Sequence, residues 1–133
     1  MNVKATLICE DVRLEATGAL TLVGVYNERL LAPKTDGPIE LVRIAFLVVV
    51  AGLRGQEKVG YRQYVQRVGA QAAPATEPHV EEHDPAADEH NFVFGPASLV
   101  VAGPGEYELV FELAARETLA HRYRFHIGHF PGG

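Results

Sequence analysis

Pro104-Gly-Glu-Tyr-Glu-Leu-Val-Phe-Glu-Leu113 sets Tyr107, Leu109, Phe111 and Leu113 on one parity, and Glu106, Glu108, Val110 and Glu112 on the other. After a polar break at Arg116-Glu117-Thr118 the alternation resumes, with Tyr123, Phe125 and Ile127 against Arg122, Arg124 and His126. Period-two alternation on both sides of a turn predicts a β-hairpin with one buried and one wet face. It points to antiparallel sheet packed on one side and solvated on the other.

The rest of the chain also reads as strands. Val3 to Cys9 alternates, and Glu10 to Gly18 is a polar connection. Leu20 to Tyr26 is β-branched, with Gly24 marking a bulge or close approach. Glu28 to Ala32 either continues that strand or forms a short separate one before the Pro33–Pro38 loop. Leu41 to Leu53 is almost continuously apolar, interrupted by Arg43, and its β-branched content predicts a central strand. Val59 to Val68 is mixed, as expected nearer a sheet edge. Asn91 to Gly95 and Leu99 to Ala102 read as two further short strands. Between them and the Val59 strand, the segment at about 70–90 is rich in Ala, Pro and acids and predicts a mobile loop.

The expected fold is therefore all-β: a single domain over 1–133, an antiparallel β-sandwich of immunoglobulin-like or Greek-key type with seven to nine strands. The unbroken apolar run in the central strand suggests more burial than one small domain supplies. Homo-oligomerisation, most simply a two-fold dimer, is expected from it.

The Leu7-Ile-Cys-Glu-Asp-Val-Arg13 opening, the Thr21–Tyr26 strand and the Pro104-Gly-Glu-Tyr107 turn resemble a family of uncharacterised bacterial proteins of unknown function. The resemblance covers most of the chain except the acidic segment, which looks like an insertion. It implies a β-sandwich and carries no activity, substrate or catalytic residue across.

With 12 Lys and Arg against 17 Asp and Glu, the net charge of −5 argues against a general nucleic-acid binder. No Lys or Arg falls between Arg67 and Arg116. A single cysteine, Cys9, forms no internal disulfide, and Met1-Asn-Val-Lys4 leads straight into strand-like sequence. Both features suggest a cytoplasmic protein. The longest apolar run is too short for a spanning helix, so no membrane partner is expected.

Three constellations carry candidate chemistry. His79, His83 and His90 lie among carboxylates, and imidazole with carboxylate is a donor set for zinc and similar divalent ions. Pro78 and Pro85 bracket the His79/His83 pair, so a helical chelate is disfavoured, and a solvated acidic loop is the plainer reading. Arg122, Arg124 and His126 share the wet face of the last strand, with His121 and His129 nearby. They form a candidate surface for a protein partner, or else charges that guard a sheet edge. Tyr61, Arg62, Tyr64 and Arg67 interleave aromatic and basic groups, a weak echo of single-strand nucleic-acid platforms. Ser98, the lone serine, has no nucleophile elbow. Cys9 reads as a small buried hydrophobe, and Asp11 with Arg13 as a structural ion pair.

The expected function is a non-catalytic binding or assembly module without a cofactor. A metal-dependent enzyme using the His/acid segment is the alternative, and a phage or secretion-apparatus structural subunit a further one.

Overall fold

The computed structural model describes residues 1–70 and 77–130, and within them every regular element is a strand. In chain order these are β1 (Asn2–Cys9), β2 (Asp11–Leu14), β3 (Leu20–Val23), β4 (Arg29–Ala32) and β5 (Ile39–Ala51). They are followed by β6 (Lys58–Arg67), β7 (His79–Glu82), β8 (Glu89–Val101), β9 (Gly105–Ala114) and β10 (Thr118–His129). One sheet runs β1-β5-β8, a second β4-β10-β9-β6-β7, and β2 with β3 makes a two-stranded hairpin. The all-β expectation holds. The strand count is ten among the described residues, against the seven to nine expected, and the pairing is mixed, because β4 runs parallel to β10.

The β9–β10 hairpin pairs as its alternation predicts, from Thr118 opposite Ala114 to Ile127 opposite Gly105. Its inward parity joins residues of the three-stranded sheet in one core: Ile8, Phe46, Val48 and Phe92 with Leu109, Phe111, Phe125 and Ile127. Each such side chain, fully buried, contributes about 1.5–3 kcal/mol. Tyr61 is the hinge of the aromatic cluster, with ring centroids 5.2 Å from Phe92 and 5.6 Å from Phe94.

The apolar run in β5 is explained within the chain. Ile44, Phe46, Val48 and Val50 enter the shared core. Ala45 and Leu47 on the opposite parity are buried as well, and β2 packs against both β5 and β8. The hairpin thus covers the second face of β5, so its hydrophobicity is satisfied without another copy of the protein. Asp11, at the start of the hairpin, anchors it by accepting from Arg13 at 3.1 Å and Arg43 at 3.0 Å.

Three further expectations are corrected. The segment at 70–90 is not all loop: residues 71–76 lie outside those described, but His79–Glu82 forms β7, paired antiparallel with β6. Pro78 and Pro85 flank this strand from outside it, where no ladder hydrogen bond is lost. The two short strands expected at 91–95 and 99–102 are one strand, β8, with register shifts between Leu41/Ile44 and Ile44/Phe46 on its partner β5. The last strand is not an edge, since β10 lies between β9 and β4, while β6 lies next to the edge strand β7.

The chain crosses from β8 to β9 through Ala102–Pro104. There the Tyr107 hydroxyl donates back to the Gly103 carbonyl at 2.6 Å and accepts from Arg67 Nη2 at 2.9 Å.

Candidate functional site

The richest constellation links β7 of one sheet to β8 of the other through side chains. Pairing of Tyr61 with His79 and Val59 with Glu81 puts His79 and Glu81 on the same side of their sheet as Tyr61. Across the gap, His90 pairs with Val50 and so lies on the core side of β8. His83 follows β7 directly, its backbone N–H donating to the Glu57 carbonyl at 2.8 Å.

These positions create a continuous chain of hydrogen bonds. The Tyr61 hydroxyl donates to Glu81 Oε1 at 2.9 Å, and Glu81 Oε2 lies 2.7 Å from His90 Nε2. His90 Nδ1 and His83 Nδ1 are 3.1 Å apart, and His83 Nε2 is 2.8 Å from the Ala87 carbonyl. Burial, and then the Glu81 carboxylate, push the Tyr61 hydroxyl up to about 12, so it remains a donor at neutral pH. His83 is buried and His90 half-buried, and the His90 ring packs against Phe92 in a tilted arrangement with centroids 4.6 Å apart. Of the three histidines expected together, two meet. His79 is exposed and lies beside Tyr61, with centroids 5.7 Å apart. Glu81 is one of the carboxylates that surround these histidines in the sequence, whereas Tyr61, which completes the chain, lies on another strand. Their link to His90 depends on a β6–β7 register that no local pattern announces.

A second constellation covers the outer face of the five-stranded sheet. Arg122 and Arg124 are exposed and His126 is half-buried, as the parity of β10 predicts. Arg122 Nη1 is 2.7 Å from Glu108, and His126 Nδ1 is 2.8 Å from Glu106. Arg62 pairs with Glu112 at 3.1 Å, and the Tyr64 hydroxyl donates to Glu112 at 3.4 Å. The row of glutamates on β9 therefore neutralises basic groups on both neighbouring strands. Glu108 is only 2% exposed, roofed by Arg122 and by Gln66, whose amide donates to it at 2.8 Å. The expected basic-aromatic platform is likewise absorbed: Tyr61 enters the core, and Arg67 lies over the Tyr107 ring at 5.1 Å.

The remaining histidines do not join this surface. His121 Nε2 is 2.8 Å from Thr6 Oγ1, and burial lowers its imidazole below the usual range. His129 Nδ1 is buried without a hydrogen-bond partner among the described residues. Cys9 is fully buried, and that burial raises its thiol.

At the β7 end of the outer face, three small residues on neighbouring strands, Gly60, Ala114 and Ala120, leave a trough of about 340 Å³. Pro78 and the Arg62–Glu112 pair line it, and Val80, 67% exposed, is opposite Gly60 in the ladder. Among the described residues no helix is long and apolar enough to cross a membrane. No family model, curated protein or solved structure matches the chain.

Proposed function

We propose that the protein is an immunoglobulin-like β-sandwich acting as a non-catalytic binding and assembly module, with the outer face of β7-β6-β9-β10 as its docking surface. Three features support the sandwich topology. The three-stranded sheet alternates in chain order with the five-stranded one. The early strand β4 runs parallel to the last strand β10. Tyr107 ties the crossover before it back to Gly103, the corner such folds use where the chain changes sheets.

The observation that carries the docking role is the trough over Gly60, Ala114 and Ala120, bordered by the exposed Val80. A smooth outer face would have been closed by ordinary side chains at those three positions. A recess with an apolar lip beside rows of paired charges suits an apolar anchor surrounded by polar contacts, the arrangement of protein interfaces. The simplest partner is a second copy. Glu106 and Glu112 on β9 lie against Arg62, Arg122 and Arg124 on its two neighbours, charges of both signs that can meet their opposites under a two-fold rotation, as an isologous dimer needs. The cytoplasm remains the expected compartment.

Sedimentation velocity across the micromolar range tests this. A dimer that weakens at least tenfold in Ala114→Arg and in Val80→Asp, both at exposed positions, is the expected result. A mass that stays monomeric at every concentration, or a dimer indifferent to both substitutions, removes the outer face as the self-association surface.

A further inference from the structure

We propose that His83 and His90 hold a single borderline transition-metal dication, of the zinc or copper(II) class, between their Nδ1 atoms. The inference is independent of the docking surface and starts from proton counting. The Ala87 carbonyl is an acceptor only, so His83 Nε2 carries its ring proton. The Glu81 carboxylate accepts likewise, so His90 Nε2 carries its own. Two neutral imidazoles have then spent both protons, and two Nδ1 lone pairs point at each other across 3.1 Å. Such an approach needs a cation between them, either one additional shared proton or a metal ion.

Four observations favour the metal. Two nitrogens at the usual 2.0–2.1 Å from a tetrahedral zinc lie roughly 3.3 Å apart, close to the present spacing, so the ion is reached when both rings turn until their lone pairs converge beside the line joining the nitrogens. The outer contacts are those that metal-bound imidazoles use to fix tautomer and ring direction: His83 to a backbone carbonyl, and His90 to a carboxylate that is itself held by Tyr61. The two histidines open onto a cleft of about 450 Å³ that Glu82, Asp84 and Glu89 also line, giving room for water ligands in a field that attracts a dication. Finally, backbone contacts from His83 to Glu57, Gly55 to Pro85 and Leu53 to Asp88 hold the β7–β8 turn against the β5–β6 turn, so the pair is built into the fold. Among the described residues no group of three His, Cys, Asp or Glu side chains is arranged to hold an ion. The site is thus a two-imidazole chelate with its other positions open to water, and His79 takes no part.

The test uses the full chain without an affinity tag, stripped by chelation and titrated with copper(II) under electron paramagnetic resonance, then with zinc as competitor. One equivalent bound through two ring nitrogens, displaced by zinc, is expected. Binding should fall at least tenfold in His83→Ala and in His90→Ala, stay unchanged in His79→Ala, and fall roughly tenfold in Tyr61→Phe through loss of the Glu81 support. Binding that survives His83→Ala, follows His79→Ala, or is absent at one equivalent overturns the proposal. Should either alanine variant misfold by circular dichroism, nitrogen-15 spectra of the wild-type imidazoles decide. Zinc must shift both Nδ1 resonances while both Nε2 sites keep their protons; a bridging N–H that persists in zinc means that only a proton is shared.

Discussion

Asp11 is 8% exposed, yet one of its oxygens, Oδ2, accepts from both Arg13 and Arg43. The Arg13 hydrogen bond, then that of Arg43, holds its carboxyl below the ordinary range, while burial opposes them. An acid whose folded value is depressed stabilises the fold above its unfolded value of about 3.9 and loses that contribution as pH falls through the folded one. Asp11→Asn should therefore lower stability near neutral pH and flatten the decline of stability below about pH 5. Urea unfolding of both proteins across that range checks it, and parallel pH profiles would refute it. The Asp11–Arg13 pair was legible from proximity in sequence. Arg43 was not, because it arrives from β5 once the hairpin folds over that strand. Glu108 was hidden for the same reason: its parity assigned it to solvent, and only Arg122 and Gln66 on neighbouring strands cover it.

Among the elements, β8 departs furthest from a plain strand. Gly95 has a φ of +94°, and a Cβ there would lie 2.5 Å from the Ile44 carbonyl oxygen. Gly18, in the β2–β3 turn, has a similar φ of +87° and open space around it. Alanine at either position meets the backbone penalty of about 1–2 kcal/mol, but only at Gly95 must the β5 backbone move as well. Gly95→Ala should therefore destabilise by at least about 1 kcal/mol more than Gly18→Ala, read as the difference in urea midpoints at constant slope. Equal losses would mean that the close approach to Ile44 carries no energetic weight. The same glycine explains why β8 looked like two strands: Gly95-Pro96 reads as an interruption, whereas here it is absorbed at a break in the ladder. The β9–β10 hairpin was readable because its apolar parity faces the core, whereas alternation located β1 but not its core side, since a register shift between Val3 and Ala5 turns Thr6 and Ile8 toward the core residues Val48 and Phe46. β7 was not readable, since four residues between prolines carry no period, and its partner β6 is twelve residues and more away.

In the whole molecule, protection should follow layering. β5 is hydrogen-bonded along both edges, to β1 and β8, and its two faces meet the shared core and the β2–β3 hairpin. β9 is similarly enclosed between β6 and β10. By contrast, β2–β3 pairs only with itself, and two strands alone are marginal in water. β7 is a four-residue edge whose Val80 is exposed. Native-state hydrogen exchange should then find the amides of β5 and β9 opening only with global unfolding, and those of β2, β3 and β7 exchanging orders of magnitude faster through local opening. The discriminating case is the hairpin. It covers Ala45 and Leu47, so if it were an integral layer its amides would exchange as slowly as those of β5. If it is a lid over a complete two-sheet core, it opens alone, and transient exposure of that apolar face should make β5 prone to association without loosening its own ladder. Slow exchange in β2–β3 would refute the lid and make the hairpin part of the folding unit.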